Sequence, residues 1–204
     1  GGQMNNTSEI ENYPGYDHIS GPELSMKMHA PLEKFGVENI YGIVKSIEDA
    51  GDVKRVITED ATYEAKTIIL ATGAKNRALG VAGEEEYTSR GVSYCAVCDG
   101  AFFRNQDLLV IGGGDSAVEE AGYLTQFAKS VTIIHRRDEL RAQKILQDRA
   151  FANEKINFIW DSVVKEIKGN DIKVSGVVVE NVKTGEISEH EFGGIFIYVG
   201  VDPV

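Results

Sequence analysis

The sequence predicts an α/β protein built around a parallel sheet. This prediction is based on two apolar runs and on the glycine-rich turn that follows the first of them. Residues 108–111 and 131–134 are short and apolar enough to form buried strands, and residues 116–129 between them have a helix-like pattern. A strand, a helix and a second strand in this order form a βαβ unit, whose strands are parallel and whose crossover is right-handed.

The elements around this unit follow from capping residues and strand patterns. Ser20-Gly21-Pro22-Glu23 has capping-box spacing and opens a helix that Gly36 ends and Pro31 kinks. Residues 40–47, 53–58 and 67–70 predict a small β meander, and residues 78–90 a domain crossing. A second helix is expected at 138–153. Further strands are expected at 156–160, 163–167, 172–182 and 187–192, with a turn at 183–186.

Length and charge exclude several classes of protein. The 204 residues allow one large domain or two small ones, and 42% hydrophobic content suffices for a buried core. A net charge of -11 disfavours nonspecific binding to nucleic acid or anionic membrane. No apolar run approaches the roughly 20 residues that span a bilayer, and no signal segment opens the chain. We therefore expect a cytoplasmic protein with neither partner.

The turn after the first strand fits the dinucleotide-binding pattern G-x-G-x-x-A. The first glycine permits a tight turn, the second lets the backbone approach a pyrophosphate, and the small last residue allows close packing of helix on strand. The N-terminus of the helix then faces the anion. A plain tight turn is the alternative interpretation. The candidate residues are Gly112, Gly113, Gly114, Asp115, Ser116 and Ala117.

The second strand of the unit ends in a basic cluster. NAD-specific proteins place a carboxylate there, whereas this chain has His135, Arg136 and Arg137. Guanidinium groups offer forked donors and positive charge to a 2'-phosphate, so the cluster predicts NADPH rather than NADH. Arg141, one helical turn further on, is a candidate to join them. The alternative is a solvated start of a helix.

Both cysteines of the chain lie in one tetrapeptide, from Cys95 to Cys98. Thiols at this spacing can close a small disulfide ring, and a helix that begins there would stabilise a thiolate. Asp99 is a candidate proton donor or acceptor, with helix capping as the alternative. Structural zinc usually needs a second such pair, which the sequence lacks, so no metal site is expected. Two buried structural thiols are the other alternative to redox exchange.

Taken together, the cysteine tetrapeptide, the glycine-rich turn and the arginine pair resemble the low-molecular-weight, bacterial-type thioredoxin reductases. The resemblance also covers residues 1–3, 11–15 and 71–74. Peroxiredoxin-reducing flavoproteins are close relatives, but they usually carry proline where this chain has Ala96. The resemblance implies two Rossmann-like three-layer nucleotide-binding domains of the pyridine nucleotide-disulfide oxidoreductase type, one for FAD and one for NADPH, and a homodimer when the protein is complete.

The resemblance also implies a role for each matching position. Electrons would pass from NADPH through FAD and the dithiol to thioredoxin, with Cys98 facing the flavin, Cys95 attacking the thioredoxin disulfide and Asp99 supplying the proton. Ser116, Arg136, Arg137 and Arg141 would hold the NADPH phosphates, and Glu119 and Glu120 would approach the ribose or nicotinamide. The residues that would line FAD are Gly2, Gln3, Thr7, Asn12, Thr72 and Gly73.

Finally, the resemblance implies that the FAD domain is incomplete, because the glycine unit for the FAD pyrophosphate would precede Gly1 and a late Gly-Asp segment would follow Val204. We expect residues 1–77 to be part of an FAD domain, 78–194 to form the NADPH domain, and 195–204 to return to the FAD domain as a strand. Three functions stay open: a thioredoxin reductase within a longer protein, an NADP-binding thiol module without turnover, or a flavoprotein that reduces another disulfide partner.

Overall fold

The computed structural model describes residues 2–6, 10 and 12–204. The chain divides into two compact units, Gly1–Gly73 and Ala74–Val204. No helix among the described residues combines the length and the apolar character that a membrane crossing requires.

The first unit contains a capped helix, as predicted. A 3-10 helix at Gly2–Asn6 precedes helix α1 (Gly21–Lys34), and the two pack together. The Ser20 hydroxyl accepts the Glu23 N–H at 3.3 Å, which satisfies one of the free donors of the first turn. Gly36 follows the helix with a φ of +65°, the left-handed conformation that ends helices.

An antiparallel meander follows α1, formed by β1 (Val44–Asp49), β2 (Lys54–Thr58) and β3 (Thr62–Ala65). The predicted meander is confirmed, but the prediction of a strand at 67–70 is wrong. A strand needs a neighbour for its backbone groups, and no described residue pairs with this run. Ile69 and Leu70 are consequently 92% and 69% exposed. The more polar residues of β3 take the place beside β2 because a short turn after Thr58 brings them there.

The second unit begins with β4 (Ala74–Asn76) and ends with β13 (Val201–Pro203), which pair antiparallel. Its central sheet is parallel, with β5 (Val92–Ser93), β6 (Asp107–Ile111), β7 (Ser130–Ile134), β8 (Ile156–Ile159) and β12 (Gly194–Ile197). The strand order is β5-β12-β6-β7-β8. The predicted βαβ unit is therefore confirmed.

The sheet lies between two other layers, because its strands are apolar on both faces. Helices α3 (Ala96–Asp99), α4 (Asp115–Leu124) and α5 (Lys144–Phe151) cover one face, where Leu108 and Val110 are buried. An antiparallel sheet of β9 (Ser162–Gly169), β10 (Val174–Asn181) and β11 (Ile187–Glu191) lies on the other face, against Leu109 and Ile111. A short helix α2 (Glu84–Tyr87) packs on β9.

Two predicted elements need correction. The segment 195–204 does not return to the first unit: β12 lies inside the parallel sheet, between β5 and β6, all four of its residues are buried, and β13 pairs with β4 of the same unit. Burial on both faces requires a central position, which explains this placement. The second helix begins at Lys144 rather than at residue 138, because the preceding N–H groups bond to the glycine turn, as described below.

Candidate functional site

The two cysteines form a disulfide at the start of helix α3. Their Cα atoms are 5.3 Å apart, and Cys95 occupies the N-cap position, where its Sγ accepts the Cys98 N–H at 3.2 Å. Cys98 is exposed and Cys95 is half-buried. The ring therefore presents one sulfur to solvent and keeps the other against the protein, at the positive end of a short helix.

Asp99 is held by a serine that the sequence pattern did not single out. Ser93, at the end of β5, donates from its hydroxyl to Asp99 Oδ2 at 2.6 Å and accepts the Cys95 N–H at 3.1 Å. The Asp99 carboxylate makes no helix-cap hydrogen bond, so the capping interpretation is not what the structure shows. Ser93 thus fixes both the first cysteine and the carboxylate beside the second.

A tyrosine hydroxyl contacts the first turn of helix α3. The Tyr198 hydroxyl, just beyond β12, accepts the N–H of the fully buried Ala96 at 2.8 Å. The carboxyl group of Glu120 on α4 lies near this hydroxyl, and its Oε2 atom is buried without a hydrogen-bond partner. Burial raises the pKa of Tyr198 above its usual value, and the adjacent Glu120 raises it further, so the phenol keeps its proton.

The glycine turn after β6 has one face packed and one face open. A Cβ on Gly112, whose φ is +148°, would lie 2.4 Å from the Tyr198 carbonyl oxygen, and one on Gly113 would lie 2.5 Å from the His135 ring. A Cβ on Gly114 would meet nothing within 4 Å. Gly114 is also the N-cap of α4 and carries no side-chain cap, so the first N–H groups of that helix face an open approach.

His135 supports this turn from below. Its side chain is 7% exposed and its ring lies against the position of Gly113. Burial lowers the pKa of His135, and the charges of Arg137, Arg136 and Arg141 lower it further. The imidazole is therefore neutral near pH 7, and it is placed to support the loop rather than to present charge at its surface.

The arginines lie on an irregular loop, not on the first turn of a helix. Arg136, Arg137 and Arg141 are all exposed, and within residues 2–6, 10 and 12–204 none of their guanidinium groups is paired with a carboxylate. The Arg141 and Ala142 N–H groups both donate to the Gly113 carbonyl, at 2.6 and 3.1 Å. These bonds place the arginine loop directly beside the glycine turn.

Two carboxylates near this cluster are already engaged. Asp115 accepts the Gln143 N–H at 2.7 Å, which ties the arginine loop to the start of α4. Asp138 pairs with Lys183 at 2.9 Å, and this contact lowers the pKa of Asp138. The cluster therefore keeps an uncompensated positive charge, which suits a phosphate group. Ser116 and Glu119 are exposed on α4 beside it.

A second carboxylate, Glu84, holds the segment that enters the second unit. It is buried, and it accepts the Leu79 and Gly80 N–H groups at 2.7 and 2.6 Å and the Tyr94 hydroxyl at 2.6 Å. Burial acts to raise the pKa of Glu84, but these hydrogen bonds outweigh it and the pKa is lowered. Tyr94 directly precedes Cys95. Glu84 therefore connects Leu79 and Gly80, near the start of the second unit, to the segment that contains the disulfide.

The residues predicted to line FAD lie in the first unit. Gly2, Gln3, Asn12, Thr72 and Gly73 are all exposed, and Thr7 lies outside the described residues. These positions present exposed chain rather than an enclosed cavity. In contrast, the glycine turn, the arginine loop and the disulfide are all in the second unit.

Comparison with known proteins agrees with this geometry. The sequence profile of the pyridine nucleotide-disulphide oxidoreductases matches residues 1–204, and the chain belongs to this family. The thioredoxin reductase of Listeria monocytogenes is 57% identical over the whole chain, and that of Bacillus subtilis is 54% identical. The chain spans 64% and 65% of the length of these relatives.

Solved structures lead to the same group. The crystal structure of Lactococcus lactis thioredoxin reductase is 72% identical, with a TM-score of 0.92, over all of this chain and 67% of that protein. The thioredoxin reductase of T. acidophilum is 34% identical, with a TM-score of 0.85. The predicted resemblance and fold class are therefore confirmed, including that the chain matches only part of such a protein.

The structure brings together most of the predicted residues of the second unit and adds three that were missed. Ser93, Tyr198 and Glu84 had no motif around them. Ser93 had one sequence signal, its position two residues before the first cysteine. Tyr198 and Glu84 had none, because their partners are brought to them by the tertiary fold.

Proposed function

We propose that this chain is the NADPH-binding and redox-active part of an NADPH-dependent flavoprotein that reduces the disulfide of thioredoxin. The observation that carries the proposal is the juxtaposition, in one unit, of a solvent-facing Cys95–Cys98 disulfide with a dinucleotide-type glycine turn. The relatives of this sequence are named thioredoxin reductases, which supports thioredoxin as the substrate.

The second unit fits NADPH by its own geometry. Open space above Gly114 and the uncapped start of α4 suit a pyrophosphate. The exposed guanidinium groups of Arg136, Arg137 and Arg141 supply donors for a 2'-phosphate, with Ser116 adding a hydroxyl at the helix start. Gly112 and Ala117 act by packing, because they let α4 approach the strand.

The dithiol exchange can be written from the residues of this chain. FAD, when bound by the complete protein, supplies the two-electron transfer between nicotinamide and disulfide. The Cys95 thiolate attacks one sulfur of the thioredoxin disulfide, a mixed disulfide forms, and the first thioredoxin thiolate leaves and takes a proton. Cys98 then attacks the Cys95 sulfur, which restores the Cys95–Cys98 disulfide and releases the second thioredoxin thiol. Asp99, held by Ser93, is placed to donate the proton.

A binding measurement on this chain tests the cofactor assignment. We expect NADP+ to bind more tightly than NAD+ in calorimetric titration. An Arg136→Gln/Arg137→Gln double variant should lose that preference, because only NADP+ carries the 2'-phosphate. An equal loss of affinity for NAD+ and NADP+ would contradict the assignment of the arginines.

A disulfide-exchange measurement tests the thiol assignment. With the chain reduced chemically, we expect the Cys98→Ser variant to accumulate a mixed disulfide with thioredoxin through Cys95. The Cys95→Ser variant should accumulate none. If both variants were trapped equally, Cys95 would not be the specific attacking thiol. If a different small disulfide protein were reduced faster than thioredoxin, the second candidate, a related flavoprotein with another partner, would be preferred.

For the isolated chain we propose an NADP-binding thiol module without turnover. The observation in its favour is the exposed apolar run Ile69 and Leu70, next to the exposed Thr72 and Gly73 that would line FAD. We expect the purified chain to show no absorbance band of bound flavin after incubation with FAD and gel filtration. A retained band together with NADPH oxidation in the presence of thioredoxin would contradict this proposal.

We further infer that the complete protein is a cytoplasmic homodimer. We also infer that its NADPH domain rotates, because Cys98 must reach the flavin and Cys95 must reach a protein partner, and one static arrangement can hardly allow both. The pivot is the β4–β13 ribbon, where Arg77 donates to the Gly200 carbonyl at 3.0 Å and pairs with Asp202. Crosslinking the two domains of the complete protein should abolish turnover, and full activity after crosslinking would refute the rotation. Light scattering tests the dimer.

A further inference from the structure

A lysine of the antiparallel sheet holds the loop that carries the three candidate arginines. Lys183 lies in the turn between β10 and β11. Its Nζ atom lies 2.9 Å from Asp138 Oδ2 and 3.0 Å from Asp161 Oδ2, so one ammonium group joins two carboxylates. Asp138 directly follows Arg137 in the chain, and Asp161 directly precedes β9. The proposed chemistry gives Lys183 no role.

Backbone hydrogen bonds join the same three segments. The Asp161 N–H donates to the Arg137 carbonyl at 3.1 Å, and the Val182 N–H donates to the Asp161 carbonyl at 2.6 Å. The turn is fixed in addition by Asn181, whose Oδ1 atom accepts the Lys183 N–H at 2.9 Å. The backbone thus sets where the lysine and its two partners begin. Less side-chain freedom is then lost when they pair, and that loss is one reason why most exposed ion pairs are weak.

The charges of the arginine loop explain why this contact matters. In the part of the chain that the structure describes, the three arginines have no carboxylate partner, although Asp138 belongs to the same loop. A carboxylate released there would repel a phosphate and compete with it for the guanidinium groups. Lys183 offsets this charge and fixes the direction of the carboxylate. Hydrogen bonds with Asp138 and Asp161 raise the pKa of Lys183, so its ammonium group stays charged near pH 7.

We propose that Lys183 determines the cofactor preference: by holding the Asp138 carboxylate, it leaves the guanidinium groups of the arginine loop to the 2'-phosphate of NADPH. Lys183 acts through Asp138 and is a positioning residue, not a residue that contacts the cofactor. Because NADH lacks the 2'-phosphate, loss of Lys183 weakens the binding of the phosphorylated cofactor alone. The inference rests on the proposed function, since it takes the arginine loop as the 2'-phosphate site.

Calorimetric titration of the chain with NADP+ and with NAD+ at low ionic strength measures this preference, as the ratio of the NAD+ to the NADP+ dissociation constant. We expect Lys183→Met to lower the ratio by about threefold to tenfold, the effect of an unpaired charge several ångströms from a phosphate in weak screening. The whole change should lie in the affinity for NADP+. A Lys183→Met variant that keeps the wild-type ratio would overturn the proposal.

A double-mutant cycle shows whether Lys183 acts through Asp138. Adding Asp138→Asn to Lys183→Met removes the released carboxylate, so the ratio should recover by about threefold or more, a larger gain than Asp138→Asn gives in the wild type. Glu139→Gln is the matched control, since Glu139 is the next residue, is exposed and carries the same charge. Its effect should be the same in both backgrounds. Equal recovery by Glu139→Gln and Asp138→Asn would reduce the effect to net charge and overturn the proposal.

A second lysine of the same sheet controls for the loss of a positive charge. Lys168 pairs with Glu189 at 2.6 Å and lies six residues along β9 from Ser162, about 20 Å away, so Lys168→Met should leave the ratio unchanged. Circular dichroism identifies a variant that fails to fold, and Lys183→Gln replaces Lys183→Met if the latter does so. A wild type without preference for NADP+ would overturn the cofactor assignment and this inference with it. A preference that survives the loss of Lys183 would overturn this inference alone.

Discussion

The Asp115 carboxylate accepts the backbone N–H of Gln143 at 2.7 Å and its side-chain amide at 3.2 Å. Asp115 is the first residue of helix α4, and Gln143 ends the arginine loop, so this pair sets the distance between the two parts of the proposed NADPH site. A carboxylate beside the proposed phosphate site thus serves as a hydrogen-bond acceptor that holds the loop in place.

We therefore predict that Asp115→Ala weakens NADP+ binding although it removes a negative charge. Loss of the Gln143 contacts frees the arginine loop, and the dissociation constant measured by calorimetry should rise about threefold to tenfold. Asp148→Ala, which removes an exposed carboxylate of α5 that pairs with Lys144, is the control and should leave binding unchanged. Tighter binding by Asp115→Ala would show that charge outweighs loop position.

The glycine turn offers a test that separates folding from binding. Gly113→Ala places a methyl group 2.5 Å from the His135 ring and should lower the free energy of unfolding by about 1–3 kcal/mol. Gly114→Ala meets nothing within 4 Å and should leave stability nearly unchanged, yet weaken NADP+ binding because the methyl group occupies the pyrophosphate approach. Urea unfolding and calorimetry measure the two effects. Equal NADP+ affinity for Gly114→Ala and the wild type would argue against this face as the site.

Ser93 links the redox segment to the parallel sheet, and its removal should be costly. Ser93→Ala leaves the partly buried Cys95 N–H and Asp99 Oδ2 without their partner, so we expect a loss of about 1–3 kcal/mol in the free energy of unfolding. The measurement is urea unfolding of the oxidised chain. The exposed Ser175 of β10 provides the control, since Ser175→Ala removes a similar hydroxyl at a position without burial. Similar stability of both variants would contradict the assigned role of Ser93.

Glu120 should make folding stability depend on pH. Its pKa is raised in the folded chain above the ordinary value of 4.5, so the folded state binds a proton that the unfolded state has released. Its contribution is fully present below pH 4.5 and is lost as pH rises through the raised pKa. The Glu120→Gln variant should therefore gain stability relative to the wild type as pH rises above 4.5, until Glu120 is ionised in the folded chain as well. Parallel stability curves in urea would contradict this prediction.

Local patterns were sufficient for much of the second unit. Periodicity identified β6, α4 and β7, because a strand–turn–helix sequence is determined by neighbouring residues. The glycine turn was predictable for the same reason, since Gly112 needs a conformation that other residues rarely adopt. The start of α5 was not predictable from neighbouring residues, because the N–H groups of Arg141 and Ala142 bond to the Gly113 carbonyl, nearly thirty residues away in the chain.

The position of β12 shows where local pattern stops being informative. A strand was expected here, but as one that returns to the FAD domain, and nothing in its local pattern tells at which place a parallel strand is inserted in a sheet. The structure inserts it between β5 and β6, and the chain thereby brings Tyr198 beneath helix α3. The same contact gives the Ala96 N–H a hydrogen-bond partner. A proline at position 96 would make no such bond, because it has no backbone N–H.

The sequence by itself determined the α/β class, the glycine turn, the arginine cluster and the cysteine pair, because each depends on residues close together in the chain. Only the tertiary structure decided which side chains support them: Ser93 on Asp99, His135 beneath Gly113, and Tyr198 with Glu120 beneath the redox helix. These contacts depend on strand order and helix packing, and a buried polar group finds its partner through the fold rather than through its neighbours in sequence.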